Sequence, residues 1–435
     1  MRIMKKAMLS TLLLCIPLAF GCDRHLQEKD LRIVEDNPKQ AEDLSIQIRR
    51  IFASLTGKNE NTLLRSSEEE TLGDGHLRIT NFAPDGYILY IADSMRGIDV
   101  LAFSETGDMH SRDTIDNPVL KTILDNARLI TDLTTVFEST SGNDTHKDLD
   151  LCSPIYHDSV TKENRLIYPP STLPFGQREP YKNHIHRSTL GCGNTAIAMM
   201  MSHYRIPKEV HVNDTKTKMQ WESLHDSLNL KDNDVCFQLA EMCKYIFYTV
   251  PYVKIIFDCM GTAVTPGNIK KFLRNHGFNP QYLPYNSKEL VGYLKEYKRP
   301  VIMYGSASFW SRHYWIIDGL LEHKMHVKTY ESDVWKEGSS ELVNERTYTR
   351  YYVHCNWGWK GECNGYFSPD LFDSKLPVDT SELRSAPGMP QTNRSSVELQ
   401  NGKKEEGLFN INLNCFYCYP CNNYQDINAV WRIKI

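Results

Sequence analysis

The chain has 435 residues, 41% of them hydrophobic and 24% charged, with a formal net charge of −4. That length accommodates two or three domains and a sizeable core. The near-neutral balance makes no electrostatic case for nucleic acid, which normally calls for a basic patch.

In chain order, Arg2, Lys5 and Lys6 precede the apolar run "AMLSTLLLCIPLAF". The run is too short and too proline-broken to span a bilayer, so residues 1–22 read as an export signal. Its ending, "LAFGC", resembles a bacterial lipobox. That likeness implies cleavage before Cys22, a lipid on its thiol and a membrane-anchored protein at the surface or in the periplasm of a bacterial cell. Plain secretion is the alternative. Further on, Leu44, Ile48, Ile51 and Leu55 fall at helical spacing. The runs "HLRITNF", "GYILYIADS" and "IDVLAFS" are β-rich and separated by turn residues, which predicts an antiparallel meander. In "DNPVLKTILDNARLITDL", Asn117 is a candidate N-cap and Pro118 a first helical residue. Residues 23–150 thus form a small α+β unit, and the polar stretch 139–148 is a connector of the kind proteases cut.

Residues 151–435 form the second unit. Helices are expected after Cys192, over 234–246 and over 265–277, where Pro266 starts the helix and Gly277 stops it. Strands are expected at "PVIMYGSA", "HYWIIDGL", "HVKTYESDV", "YTRYYVHCNW" and the closing "AVWRIKI". Helices first and sheet afterwards give the α+β class. Residues 384–407 read as an exposed loop.

Twelve cysteines in an exported chain suggest disulfides. Cys15 leaves with the signal and Cys22 would carry lipid; if one more is a nucleophile, an odd number remains and some thiols stay buried and free. Cys415, Cys418 and Cys421 form two overlapping CxxC units, a zinc or iron–sulfur spacing. No fourth ligand stands at a usual distance, so no metal or other cofactor is expected.

Cys192 sits in "GCGNTAIAMMMSHYRIP", between two glycines and at the head of a helix. A thiolate is stabilised at a helix N-terminus and beside a cationic histidine. Gly191 and Gly193 permit a sharp entry and close substrate approach. A core cysteine would fit the local pattern equally well. His203, eleven positions along the same helix, is roughly 16 Å away. His184 and His186 in "HIH" are loop residues, whereas His313 heads the apolar strand "HYWIIDGL" and is the candidate base. Asn356, in "HCNWGWKGECNGYF", can accept from the imidazole Nδ1–H and fix its tautomer, with Trp357 and Trp359 shielding that bond. The backbone N–H of Cys192 and the Gln177 side-chain amide are candidate oxyanion donors.

Together "FGQREPYKN", "GCGNTAIAMMMSHYRIP", "HYWIIDGL" and "NWGWKGECNGYF" resemble the streptopain family of papain-like cysteine peptidases. "GYILYIADSMRGIDVLAFSETGDM" is similar to that family's prodomain, and "FDCMGTAV" sits where members carry a substrate-cleft segment. The resemblance implies Cys192 as nucleophile, His313 as general base and acid, Asn356 as its orienter, Gln177 in the oxyanion hole and Trp357 as shield. It also implies a papain-like domain preceded by an inhibitory propeptide, protein or peptide substrates, and an apolar substrate side chain in the second subsite. The chain departs from the pattern at Phe175, Gly193, Asn194, Met199, Met200, Arg312 and Tyr314. The last two put bulk on either side of His313. The other readings of the same residues are a papain-fold acyltransferase of transglutaminase type and a catalytically inactive binding or adhesion protein.

Overall fold

The computed structural model describes residues 38–60, 63–72, 75–93, 97–112, 123–127, 155–250, 264–306, 312–332, 340–372, 412–421 and 430–435. The expected export signal, Cys22, most of the expected 116–133 helix, the connector, the substrate-cleft segment up to residue 263 and the expected 384–407 loop lie outside them. Among the described residues no helix is long and apolar enough to cross a membrane.

The N-terminal unit opens with α1 (Pro38–Thr56), whose Ile48, Phe52 and Leu55 are buried. Phe52 stacks on Phe82 with 4.2 Å between ring centroids. Four strands follow in meander order: β1 (Leu64–Leu72), β2 (Leu77–Ala83), β3 (Tyr87–Asp93) and β4 (Gly97–Ser104). Three of them match the expected alternating runs. The fourth, β1, is "LRSSEEETL", a polar edge strand with no apolar alternation to announce it.

The second unit begins with β5 (Ile155–Tyr168), then α2 (Cys192–Tyr204), the short strands β6 (Glu209–Val212) and β7 (Thr215–Lys218), α3 (Trp221–Asp226) and α4 (Asn233–Thr249). Next come α5 (Pro266–Asn275), β8 (Phe278–Pro284), α6 (Ser287–Tyr297), β9 (Val301–Ser306) and β10 (Arg312–Ser332). β11 (Ser340–Asn356), β12 (Gly365–Phe367), β13 (Asn412–Pro420) and β14 (Val430–Ile433) complete it. The α+β class holds. The expected strands at "HYWIIDGL" and "HVKTYESDV" are one continuous β10, because no turn residue separates them.

One antiparallel sheet runs through both units in the order β1-β2-β3-β4-β12-β11-β10-β9-β13-β8, with β5 also on β10. The junction is β4 on β12, where Tyr366 faces Phe103 and Phe367 faces Ala102. Across it Ser368 N–H donates to Leu101 at 2.8 Å, Tyr352 Oη to Val100 at 3.1 Å, and Arg350 pairs with Asp99. Two of the three apolar clusters mix both units: one joins Tyr87, Leu89 and Leu101 to Trp315, Trp357 and Phe367, another joins Phe52, Phe82 and Phe103 to Tyr352 and Tyr366. The third surrounds α2, α4 and α5. There Trp431 of β14 stacks on Tyr245 at 4.9 Å, so the C-terminal strand closes the helical layer.

None of the eight described cysteines is in a disulfide, and five of them are buried. The CxxC spacing falls on strand β13, whose side chains alternate in direction. Cys415 joins the cluster that holds Trp315, and Cys418 the cluster around α2. The first two thiols of the motif therefore point apart.

The junction generates a prediction. A Cβ on Gly365 would lie 2.5 Å from Tyr87 Oη and 2.7 Å from the Phe103 carbonyl oxygen, whereas one on Gly292 in α6 meets nothing within 4 Å. Gly365→Ala should therefore lower stability by about 2 kcal/mol or more, and Gly292→Ala should raise it by about 0.5–1 kcal/mol. Urea unfolding of the two variants measures both signs.

Candidate active site

Gly191 takes φ +86°, a left-handed conformation open to glycine, and turns the chain into α2 so that Cys192 is its first residue. No side chain caps this helix end. Thr195 closes the turn instead, its Oγ1 and its N–H each donating to the Gly191 carbonyl at 3.0 Å. Arg205 ends the helix in the left-handed region, with its N–H on Met201 and Ser202. Behind Cys192, Ala196 to Met201 are fully buried against the helical layer. The backbone N–H groups of Tyr314, Gly193 and Cys192 itself lie around the Cys192 sulfur. Burial raises its pKa, those three donors lower it, and burial prevails.

Tyr314 follows His313 directly, so β10 carries the candidate base to the nucleophile. His313 is 4% exposed. Its Nε2 stands 3.1 Å from the Trp357 carbonyl oxygen, which can only accept. The ring proton is therefore on Nε2, and Nδ1 keeps its lone pair. Burial pushes the imidazole pKa down to about 4, against the raising effect of the Trp357 bond. With the thiol held up and the imidazole held down, the resting pair is neutral. No hydrogen bond joins the sulfur to the ring among the described residues.

Two expected roles take a different form. The acceptor for the imidazole is not the Asn356 carboxamide, and the donating nitrogen is Nε2 rather than Nδ1. Asn356 Nδ2 donates to Thr172 Oγ1 at 3.0 Å and to the Leu173 carbonyl at 3.2 Å, while Oδ1 receives Gly358 N–H at 3.3 Å. Both ends of the amide are committed to the turn that presents the Trp357 carbonyl. Nor does the Trp357 ring cover His313: it is buried against Trp315 and Phe367, and its Nε1–H donates to the Cys363 carbonyl at 2.9 Å. The ring centroids nearest the imidazole belong to Trp359, at 5.3 Å, and Trp315, at 6.1 Å and nearly parallel.

Gln177 is brought close to the nucleophile by its backbone. Its carbonyl accepts from Leu190 N–H at 2.8 Å and from Thr189 Oγ1 at 3.2 Å, just ahead of the Gly191 turn. Two of the other histidines weighed in the sequence lie against groups of their own. His203 Nδ1 meets Ser171 Oγ at 2.9 Å, and His184 Nδ1 lies 2.6 Å from the buried Glu241. Among the described residues no group of three or more His, Cys, Asp or Glu could hold a metal ion.

Sequence reasoning missed Asp318. Its side chain is fully buried and accepts from Thr172 N–H at 2.9 Å, Thr172 Oγ1 at 2.5 Å, Ser171 N–H at 3.2 Å and His354 Nδ1 at 2.6 Å. Burial raises its pKa, but His354 and the Thr172 donors outweigh burial and hold it below the usual carboxylate value. The readable signal was a lone carboxylate inside the apolar strand "HYWIIDGL".

Burial of neutral imidazoles makes stability depend on pH. His203 and His313 are each depressed to about 4, so between roughly pH 6.5 and pH 4 the unfolded chain binds protons that the folded chain refuses. Stability should fall through that window as pH drops, by up to about 3 kcal/mol for the buried His313 and by less for the partly buried His203. The urea midpoint followed from neutral pH to pH 4.5 measures it: a steady fall, shallower in His203→Gln, is expected, and a flat profile contradicts it.

Comparison with known proteins bears on this geometry. Residues 173–367 match the model of the Peptidase C10 family. A fragment of prointerpain A from Prevotella intermedia is a similar solved structure, at 14% identity and a TM-score of 0.45, covering 81% of this chain and 98% of that one. No curated protein matches the chain. The segment that carries Gln177, Cys192, His313 and Asn356 thus falls within the match to the Peptidase C10 model, in line with the likeness of its motifs to the streptopain family.

Proposed function

We propose that the chain is an exported cysteine endopeptidase made as a zymogen, with Cys192 as nucleophile and His313 as general base and acid. The supporting observation is the meeting of two elements. The first residue of α2 places its sulfur beside the Tyr314 backbone N–H, and the residue before Tyr314 is an imidazole whose Nε2 proton is already bonded to Trp357. Nδ1 is then the nitrogen with a lone pair to take the thiol proton. The thiolate attacks the scissile carbonyl carbon, and the backbone N–H of Cys192 with the Gln177 amide receives the oxyanion. The Nδ1 proton passes to the leaving amine, which departs and leaves a thioester on Cys192. A water, deprotonated by the same nitrogen, attacks the thioester carbonyl; the C–S bond breaks, the sulfur takes back the Nδ1 proton as the free Cys192 thiol, and the acid product departs. Asn356 fixes the turn behind the base, and Trp359 covers the ring.

Residues 23–150 act in this reading as the inhibitory propeptide, and the connector at 139–148 as the activation region. A neutral Cys192–His313 pair is what a latent enzyme requires, since the reactive form is the thiolate. Contact between the units reaches the site itself. Tyr87 Oη donates to the Cys363 carbonyl at 3.2 Å, the same oxygen that receives the Trp357 indole N–H. Export through residues 1–22, with lipid on Cys22, belongs to the same reading. The test is casein digestion and self-processing under reducing conditions. Wild type should do both and Cys192→Ala neither; a Cys192→Ala chain that processes itself and digests casein overturns the proposal.

A further inference from the structure

Tyr314 does two things at the nucleophile. Its N–H reaches the Cys192 sulfur, and its side chain fills the corner beside it. Along β10 the side chains alternate, so Trp315 enters the cluster behind the sheet while Tyr314 enters the cluster around α2. The phenol is 2% exposed. Its ring lies 3.5 Å from the place a Cβ would take on Gly193, the residue after the nucleophile, and Val264 lies 3.0 Å from the same place. The hydroxyl donates to the Val264 carbonyl at 3.1 Å, and the ring packs on Tyr304 with centroids 4.6 Å apart. Swinging the ring away would leave a buried carbonyl without its donor and open a void between Tyr304 and Gly193, both costly. The phenol is therefore a fixed wall rather than a flap.

We propose that Tyr314 is the specificity-determining residue of this site, occupying the acyl-side pocket next to Cys192 so that the substrate residue lodged there is glycine, alanine or serine. The inference rests on the cysteine-peptidase reading and narrows its substrate class. The family resemblance implies an apolar substrate side chain in the second subsite. In this chain an apolar group of the protein's own already stands in the corner between Gly193 and Val264. A peptide whose carbonyl carbon approaches the sulfur runs between the Gly191–Gly193 turn and β10, and a large side chain directed to that corner meets the phenol ring.

The test measures alkylation of Cys192 by N-acetyl-Xaa-glycine chloromethyl ketones, Xaa being Gly, Ala, Leu or Phe, read by mass on the full chain as isolated and after self-processing. Wild type should react with the Gly and Ala reagents about tenfold or more faster than with the Leu and Phe reagents. Tyr314→Ala should erase that gap, and Tyr314→Phe, which keeps the ring and loses only the hydroxyl, should retain it. If Tyr314→Ala does not fold, Tyr314→Leu replaces it and should narrow the gap. Leu or Phe reagents reacting with wild type as fast as the small ones overturn the proposal. So does a gap unchanged when the ring is removed, or no alkylation by any reagent. A chain that shows the size order but digests no casein keeps this inference and loses the peptidase reading. One that digests casein with no size order does the reverse.

Discussion

The candidate active site depends on one hydrogen bond, from His313 Nε2–H to the Trp357 carbonyl oxygen at 3.1 Å. A carbonyl cannot donate, so this bond decides which ring nitrogen is a base. It exists because the chain after β11 folds into a tight turn through left-handed residues, Gly358, Lys360, Gly361 and Cys363. Asn364 Oδ1 receives the Trp357 N–H at 3.0 Å and Cys363 receives its indole, so the carbonyl has one direction available. Lys360 N–H donates to the Phe175 carbonyl at 3.0 Å, which ties the same turn to the segment that carries Gln177.

Asp318 stands one level behind. It gathers donors from residues 171–172, from β11 through His354, and holds them from β10. Thr172 Oγ1 then receives the Asn356 amide. The strand with the base, the strand that ends at the turn and the segment leading to the nucleophile are thus fixed by one buried carboxylate. Such a group is tolerated in an apolar strand only when its charge is fully satisfied, and here four donors meet it.

Much of this was legible in sequence. Gly191, Cys192 and the breaker-free run to Tyr204 announced the helix and the place of the candidate nucleophile at its head, because glycine entry and an apolar stripe are local signals. The alternation in residues 76–104 gave the meander for the same reason. The join of β4 to β12 was not legible, since only four residues face each other there and they lie far apart in the chain. Asn356 was recognised while its acceptor role passed to the next carbonyl; a backbone oxygen carries no residue identity. Trp357 and Trp359 could not be told apart as shields, because their roles follow from a turn whose left-handed residues include Lys360 and Cys363 as well as glycines. The CxxC run, a metal spacing with no fourth ligand in the sequence, has its first two cysteines on strand β13.

The neutral resting pair and the bonded Nε2 make a single statement about His313 that spectroscopy reads directly. A long-range proton–nitrogen correlation spectrum of histidine-labelled protein at neutral pH, assigned by comparison with His313→Gln, reports which nitrogen bears the proton. The account predicts a neutral ring with the proton on Nε2 and a bare Nδ1. A proton on Nδ1 alone, or a ring protonated on both nitrogens, would contradict it.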